Sequence, residues 1–146
     1  MLFKGEKPDK IPIWHQSVDL SRALAGVSMR EFIFDARKIA FGHIRYVENY
    51  KVDISGVGTD MWWMLEPYGV EVEVTDYLIY PKKTLASRKE PNPAIYDELE
   101  YRDPFEGRRA KIVLEACGIV SKEIGDKILL RHGWYGPLAN LALVVA

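Results

Sequence analysis

Apolar and polar positions divide this chain into segments with different periods. From Ala36 the residues Ala36, Ile39, Ala40, His43, Ile44 and Val47 recur at i, i+3, i+4 and i+7, which predicts a helix with one buried face ending near Tyr50. A second helical pattern runs from about Glu106 to Glu123, with Ala110, Val113, Leu114, Cys117 and Val120 on one face and Gly125-Asp126 as its stop. Between them, "VEVEV" (Val70 to Val74) alternates apolar and polar, the pattern of a half-exposed strand that "YLIYP" can pair with. The apolar runs "VDISGVG" and "KILLRH" predict strands at Val52–Val57 and Lys127–His132, the second of them buried.

Boundary residues sharpen these elements. Ser17 and Gly26 bracket a short helix over residues 17–25. "SMRE" (Ser28 to Glu31) matches a capping box, and Asp35 is placed to cap the long helix. Pro12 keeps "IPIWHQ" extended. Residues 60–67 predict a short helix and 81–105 a loop. Pro137 suits the first position of a last helix. The order helix, strand, helix, hairpin, helix, strand, helix points to a parallel α/β architecture in one domain, residues 1–146, with a helical lead-in (1–51) before the first strand–helix units (52–146).

The chain ends in the apolar stretch Leu141–Ala146, where a helix would leave carbonyls unsatisfied. Two parallel strands alone would also leave an apolar sheet edge uncovered. Both features lead to the expectation of a truncated chain. The alternative is a small domain whose last element docks on its own core.

Composition narrows the partners. A net charge of −1, with 28% charged and 48% hydrophobic residues, provides no field for nucleic acid or an anionic membrane. No apolar run reaches the length of a membrane helix or a signal-peptide core, so the expected location is cytoplasmic. A lone cysteine, Cys117, excludes an intramolecular disulfide and fits a buried helical face better than a nucleophile's site.

The candidate chemistry gathers at "GVGTDMWWMLEPYG" (Gly56 to Gly69). The dinucleotide fingerprint fails because Met61 stands where its third glycine belongs, and no Walker lysine follows. Asp60 directly follows a strand, the position of catalytic groups in α/β barrels. It is equally well placed as a helix N-cap. Trp62 and Trp63 are adjacent, so a helix would aim them in different directions, and at least one could line a pocket or a partner surface, with plain packing the stronger expectation for each. His43 reads as a core histidine, whereas His15 and His132 follow apolar runs near strand ends and could line a mouth. Their spacing forms no metal motif, and no metal ligand is predicted in this chain.

Taken in order, "DKIPIW", "SRALAG", "MREFIFDARK", "GVGTDMWWMLEPYGVEV", "DPFEGRRAKIVLEA", "IGDKILL" and "GWYGP" make the chain resemble the uroporphyrinogen decarboxylase superfamily, which includes cobalamin-linked methyltransferases. The resemblance implies the N-terminal part of a (β/α)8 TIM-type barrel, truncated after the second strand. It matches Asp60 to the aspartate that hydrogen-bonds the pyrrole N–H groups in the decarboxylases. It also shows what is missing, because Ser17 and Ser21 stand where the decarboxylases' arginines belong, Arg22 is one residue off register, and Leu143 stands where their tyrosine would be. A polycarboxylate needs guanidinium forks, so the resemblance favours a corrinoid-linked methyltransferase over a tetrapyrrole decarboxylase of porphyrin biosynthesis. A non-catalytic fragment or binding subunit is the third reading. The implied site has Asp60 as the catalytic residue, with His15, Gln16, Arg22 and Trp62 as substrate-binding residues. Cobalamin and a zinc site are implied for the C-terminal half of such a barrel. The implied partners are a tetrapyrrole or corrinoid ligand, a corrinoid protein and a second copy of the chain as homodimer.

Overall fold

A computed structural model describes residues 5–15, 17–83, 94, 97–132, 135–136, 138–140 and 142. Its helices are α1 (Val18–Ala25), α2 (Met29–Ile33), α3 (Ala36–Tyr50) and α4 (Arg108–Ile124), and its strands are β1 (Ile54–Gly56), β2 (Glu71–Val74), β3 (Ile79–Lys83) and β4 (Leu129–Arg131). Among the described residues, 3-10 turns at Trp63–Tyr68 and Pro104–Glu106 accompany them.

Local chemistry starts the helices where the sequence places the caps. Ser17 accepts from Leu20 N, Ser28 and Glu31 form the reciprocal capping box, and Asp35 accepts from Arg37 N and Lys38 N. Each such cap is worth about 1 kcal/mol. The buried face of α3 is Ala36, Ile39, Ala40, His43, Tyr46 and Val47, which packs with Phe32 and Ile33 of α2 and with Ala116, Val120 and Ile124 of α4 in one core. Full burial of side chains such as Phe32, Ile33 and Ile39 contributes roughly 1.5–3 kcal/mol each.

α1 crosses α3 at unusually close range. A Cβ on Gly42 would sit 2.3 Å from the backbone oxygen of Ser21. Only glycine permits this approach, and it brings Ser21 (0% exposed) against His43.

β1 and β4 are hydrogen-bonded neighbours in parallel, pairing Ile54 with Leu129, Ser55 with Leu130 and Gly56 with Arg131. The N-terminal segment adds a parallel bridge on the other side of β1, Trp14 to Ile54. β2 and β3 form a separate antiparallel hairpin, tied to α2 by Met29 N donating to Asp76 O (2.7 Å) and by Arg30 donating to Val74 O.

Several local expectations change. Both parallel strands are three residues long, because ladder pairing stops where the chain turns at Val57 and His132. β4 is covered on one face only. Ile128 and Leu130 pack on the helix-side core, while Leu129 and Arg131, pointing the other way by the strand's period of two, are exposed. In α4 the buried stripe is Arg109, Ala110, Val113, Ala116, Val120 and Ile124, and Leu114 is 45% exposed at its edge. The segment 60–67 is a 3-10 turn beginning at Trp63, with Pro67 inside it. β3 continues through Lys83, into the stretch expected to be loop, most of which lies outside the described residues. So does Pro137, although residues 138–140 are helical.

Candidate functional site

At the C-terminal ends of β1 and β4 the chain turns through Val57, Gly58, Thr59 and Asp60. This loop is braced by two histidines. The His43 ring, 1% exposed, bonds Gly58 through Nε2 (3.0 Å to its carbonyl oxygen) and Ser21 Oγ through Nδ1 (3.3 Å). Burial lowers its pKa below the usual histidine value, so the neutral ring is the form that fits. His132 Nδ1–H donates to Val57 O at 2.9 Å, with the Trp63 ring 5.6 Å away.

Asp60 is the focus of a buried ionic network. Its Oδ2 accepts from Arg109 Nη1 (2.5 Å) and Thr59 Oγ1 (2.8 Å), and its Oδ1 accepts from Trp62 N (2.8 Å). The same guanidinium donates through Nε to Glu66 Oε1 (2.5 Å), and Arg109 N donates to Glu66 Oε2 (3.2 Å). The side chains of Arg109 and Asp60 are 0% and 1% exposed. Three of roughly four acceptor positions on the carboxylate are thus taken, leaving one on Oδ1. Arg109 Nη2 is buried and has no hydrogen-bond partner among the described residues. Asp60 is not the cap of the turn that follows, whose N-cap is Trp62 with no side-chain cap hydrogen bond; it holds Trp62 N two residues on and anchors α4 to the loop. Sequence periodicity gave no signal for Arg109, because its partners lie 43 and 49 residues away.

Above this network lies a cavity of about 560 Å³. Trp14, Val18, Met29, Met61 and Trp62 give it a largely apolar wall, and the hairpin contributes Leu78 and Ile79. Asp60 borders it, and Arg131 enters from β4. Trp62 and Trp63 do diverge. Trp62 faces the cavity, while Trp63 is 2% exposed against Ala110 and Val113.

The other sequence candidates lie elsewhere. His15 Nδ1 is hydrogen-bonded to Tyr46 Oη at 2.8 Å and does not line the cavity. Arg22 Nη1 donates to Val27 O (2.9 Å) and borders a separate hollow of about 350 Å³ with Asp76 and Tyr77. Gln16 lies outside the described residues. His132 backs the loop from the helix side, 3.7 Å from Cys117 Sγ. Burial pushes the Cys117 thiol pKa up. This cysteine and histidine are two donors without a third. Among the described residues no group of three His, Cys, Asp or Glu could hold a metal ion, so these residues do not fit a zinc site.

No helix among the described residues is long and apolar enough to cross a membrane. No functionally curated protein matches the chain. Its fold is similar to that of a methyltransferase from Methanosarcina mazei, with a TM-score of 0.76 at 18% sequence identity. The match covers 98% of this chain and 42% of that one, so the chain spans less than half the length of the structure it resembles. The profile of the uroporphyrinogen decarboxylase (URO-D) family matches residues 1–146. With its whole length matched and its mixed α/β fold with parallel strands superposing on part of a methyltransferase, the chain belongs to the uroporphyrinogen decarboxylase family.

Proposed function

We propose that the chain forms the first part of a (β/α)8 barrel enzyme of the methyltransferase type, acting on a corrinoid-linked methyl group in the cytoplasm, with a corrinoid protein as partner. The observation that carries this reading is the fate of the two serines that replace the decarboxylases' arginines. Ser17 caps α1, and Ser21 is wholly buried against His43 in the crossing made close by Gly42. Neither position faces the cavity. A polycarboxylate would need several guanidinium forks there, and one arginine, Arg131, enters the cavity among the described residues.

Within this reading Asp60 is the candidate catalytic group and Trp62 the candidate substrate-binding wall. Arg109, Thr59 and Trp62 N fix the carboxylate at the edge of the cavity, with one acceptor position on Oδ1 left for an N–H or O–H of the ligand. The zinc of the methyltransferase branch would activate a thiol acceptor, and its ligands would come from outside this chain's described residues.

The competing reading is a tetrapyrrole decarboxylase, supported by the retained Asp60. Parallel assays of the full-length protein, methyl transfer from methylcobalamin to thiol or folate acceptors and decarboxylation of uroporphyrinogen, separate the two. Asp60→Asn is expected to lower kcat of the active reaction at least about tenfold, in the range of a lost preorganised hydrogen-bond group.

A further inference from the structure

Among the described residues Arg131 is the arginine that lines the cavity. It is exposed, and no carboxylate pairs with it among the described residues. Its guanidinium carbon lies 4.4 Å from the centroid of the Trp14 ring. Trp14 bridges to β1 on the side away from β4, so the arginine reaches over β1 to meet it. Neighbouring strands are spaced by roughly 4.8 Å, and the crossing is open because the residue paired with Arg131 in the ladder is Gly56. In-register neighbours of a parallel pair present their side chains to the same face, and Gly56 presents none. The indole holds one face of the guanidinium by cation–π attraction, leaving its edge N–H groups for a ligand. The other charges at the cavity do not compete for it. The Asp60 carboxylate is occupied by Arg109, and Asp19, exposed on the first turn of α1 at the cavity's edge, makes no hydrogen bond or ion pair with Arg131.

We propose that this cavity takes a ligand with a single oxyanion head and a flat apolar body, with Arg131 binding the head and Trp14 holding Arg131 in position. The body lies against Met29, Met61 and Trp62. The proposal rests on this cavity being the ligand site of the reading above, and adds to it the chemical class of the ligand. It also accounts for one guanidinium at the cavity, supplied from β4, in a chain with Ser17 and Ser21 where the decarboxylases' arginines belong.

The test is binding by the full-length protein of 2-naphthoate against its neutral isostere 2-naphthamide, followed by tryptophan fluorescence and calorimetry. Naphthoate is expected to bind about tenfold or more tightly, the range of a charge-assisted hydrogen bond. In Arg131→Met the two probes should converge, through weaker naphthoate binding with naphthamide unchanged. Arg131→Lys should restore part of the preference. Trp14→Leu, which keeps the charge but removes its platform, should weaken naphthoate severalfold. Equal binding of the two probes, or a preference that survives in Arg131→Met, overturns the proposal. A protein that transfers no methyl group yet shows the Arg131-dependent preference refutes the proposed reaction and leaves the anion site standing. Methyl transfer with a preference indifferent to Arg131 does the reverse.

Discussion

Arg109 Nη1 lies 2.5 Å from Asp60 Oδ2, and the two side chains are 0% and 1% exposed. This pair joins the first turn of α4 to the loop that follows β1, and so ties the most buried ion pair among the described residues to the candidate catalytic carboxylate. Burying two charges is costly unless each is fully paired, and removing one partner strands the other in a low-dielectric site.

Arg109→Met is therefore expected to destabilise the protein by about 3–5 kcal/mol. Urea unfolding measures it. The double variant Asp60→Asn/Arg109→Met should lose less than the sum of the two single losses, because the second change removes a charge already stranded. Additive losses would show that the two groups are not coupled.

His43 gives a pH signature. Its folded-state pKa is depressed by burial, so the folded protein binds fewer protons than the unfolded chain once the pH drops toward 6.5. The stability associated with the neutral ring is fully present above that pH and is lost as pH falls through and below it. The unfolding midpoint should decline between pH 7 and 5, and His43→Gln should flatten the decline. Glu31, whose pKa is lowered to about 2 mainly by Lys38, loses its contribution only as pH falls below 4.5, which separates the two effects.

At the crossing of α1 and α3, Gly42→Ala places a methyl 2.3 Å from Ser21 O. The helices must move apart, at a cost of roughly 1–3 kcal/mol. Because Ser21 and His43 meet there, the pH dependence below 6.5 should change in the same variant. Thermal melts at several pH values test both.

Cys117 is half-buried and its thiol pKa is raised by burial, so less thiolate is present at neutral pH than for a free cysteine. Its reaction with a disulfide reagent at pH 7.5 should be several times slower in the folded protein, by about the drop in thiolate fraction or more. The difference should vanish in denaturant.

Much of this fold is written locally. Ser17, Ser28 with Glu31, and Asp35 cap the helices that follow them, and the 3.6 period of α3 names its buried face, because both depend on neighbours within one helical turn. The parallel relation of β1 and β4 follows from the strand–helix alternation. What depends on distant pairing is less legible. A charged residue in the first turn of α4 reads as solvated surface, yet Arg109 is buried by carboxylates from another element. Leu114 reads as core, yet the packed stripe runs beside it. Asp60 stood out by position after a strand, whereas its engagement by Arg109 could not. Arg131 gave no signal, since its role follows from a glycine on one neighbouring strand and a tryptophan beyond it.

The most direct measurement of the central claim is the product formed by the full-length protein when it is offered methylcobalamin with a thiol acceptor and, separately, uroporphyrinogen. The account expects demethylated cobalamin and methylated thiol, reduced at least about tenfold by Asp60→Asn, and no coproporphyrinogen. Coproporphyrinogen production without methyl transfer would contradict it.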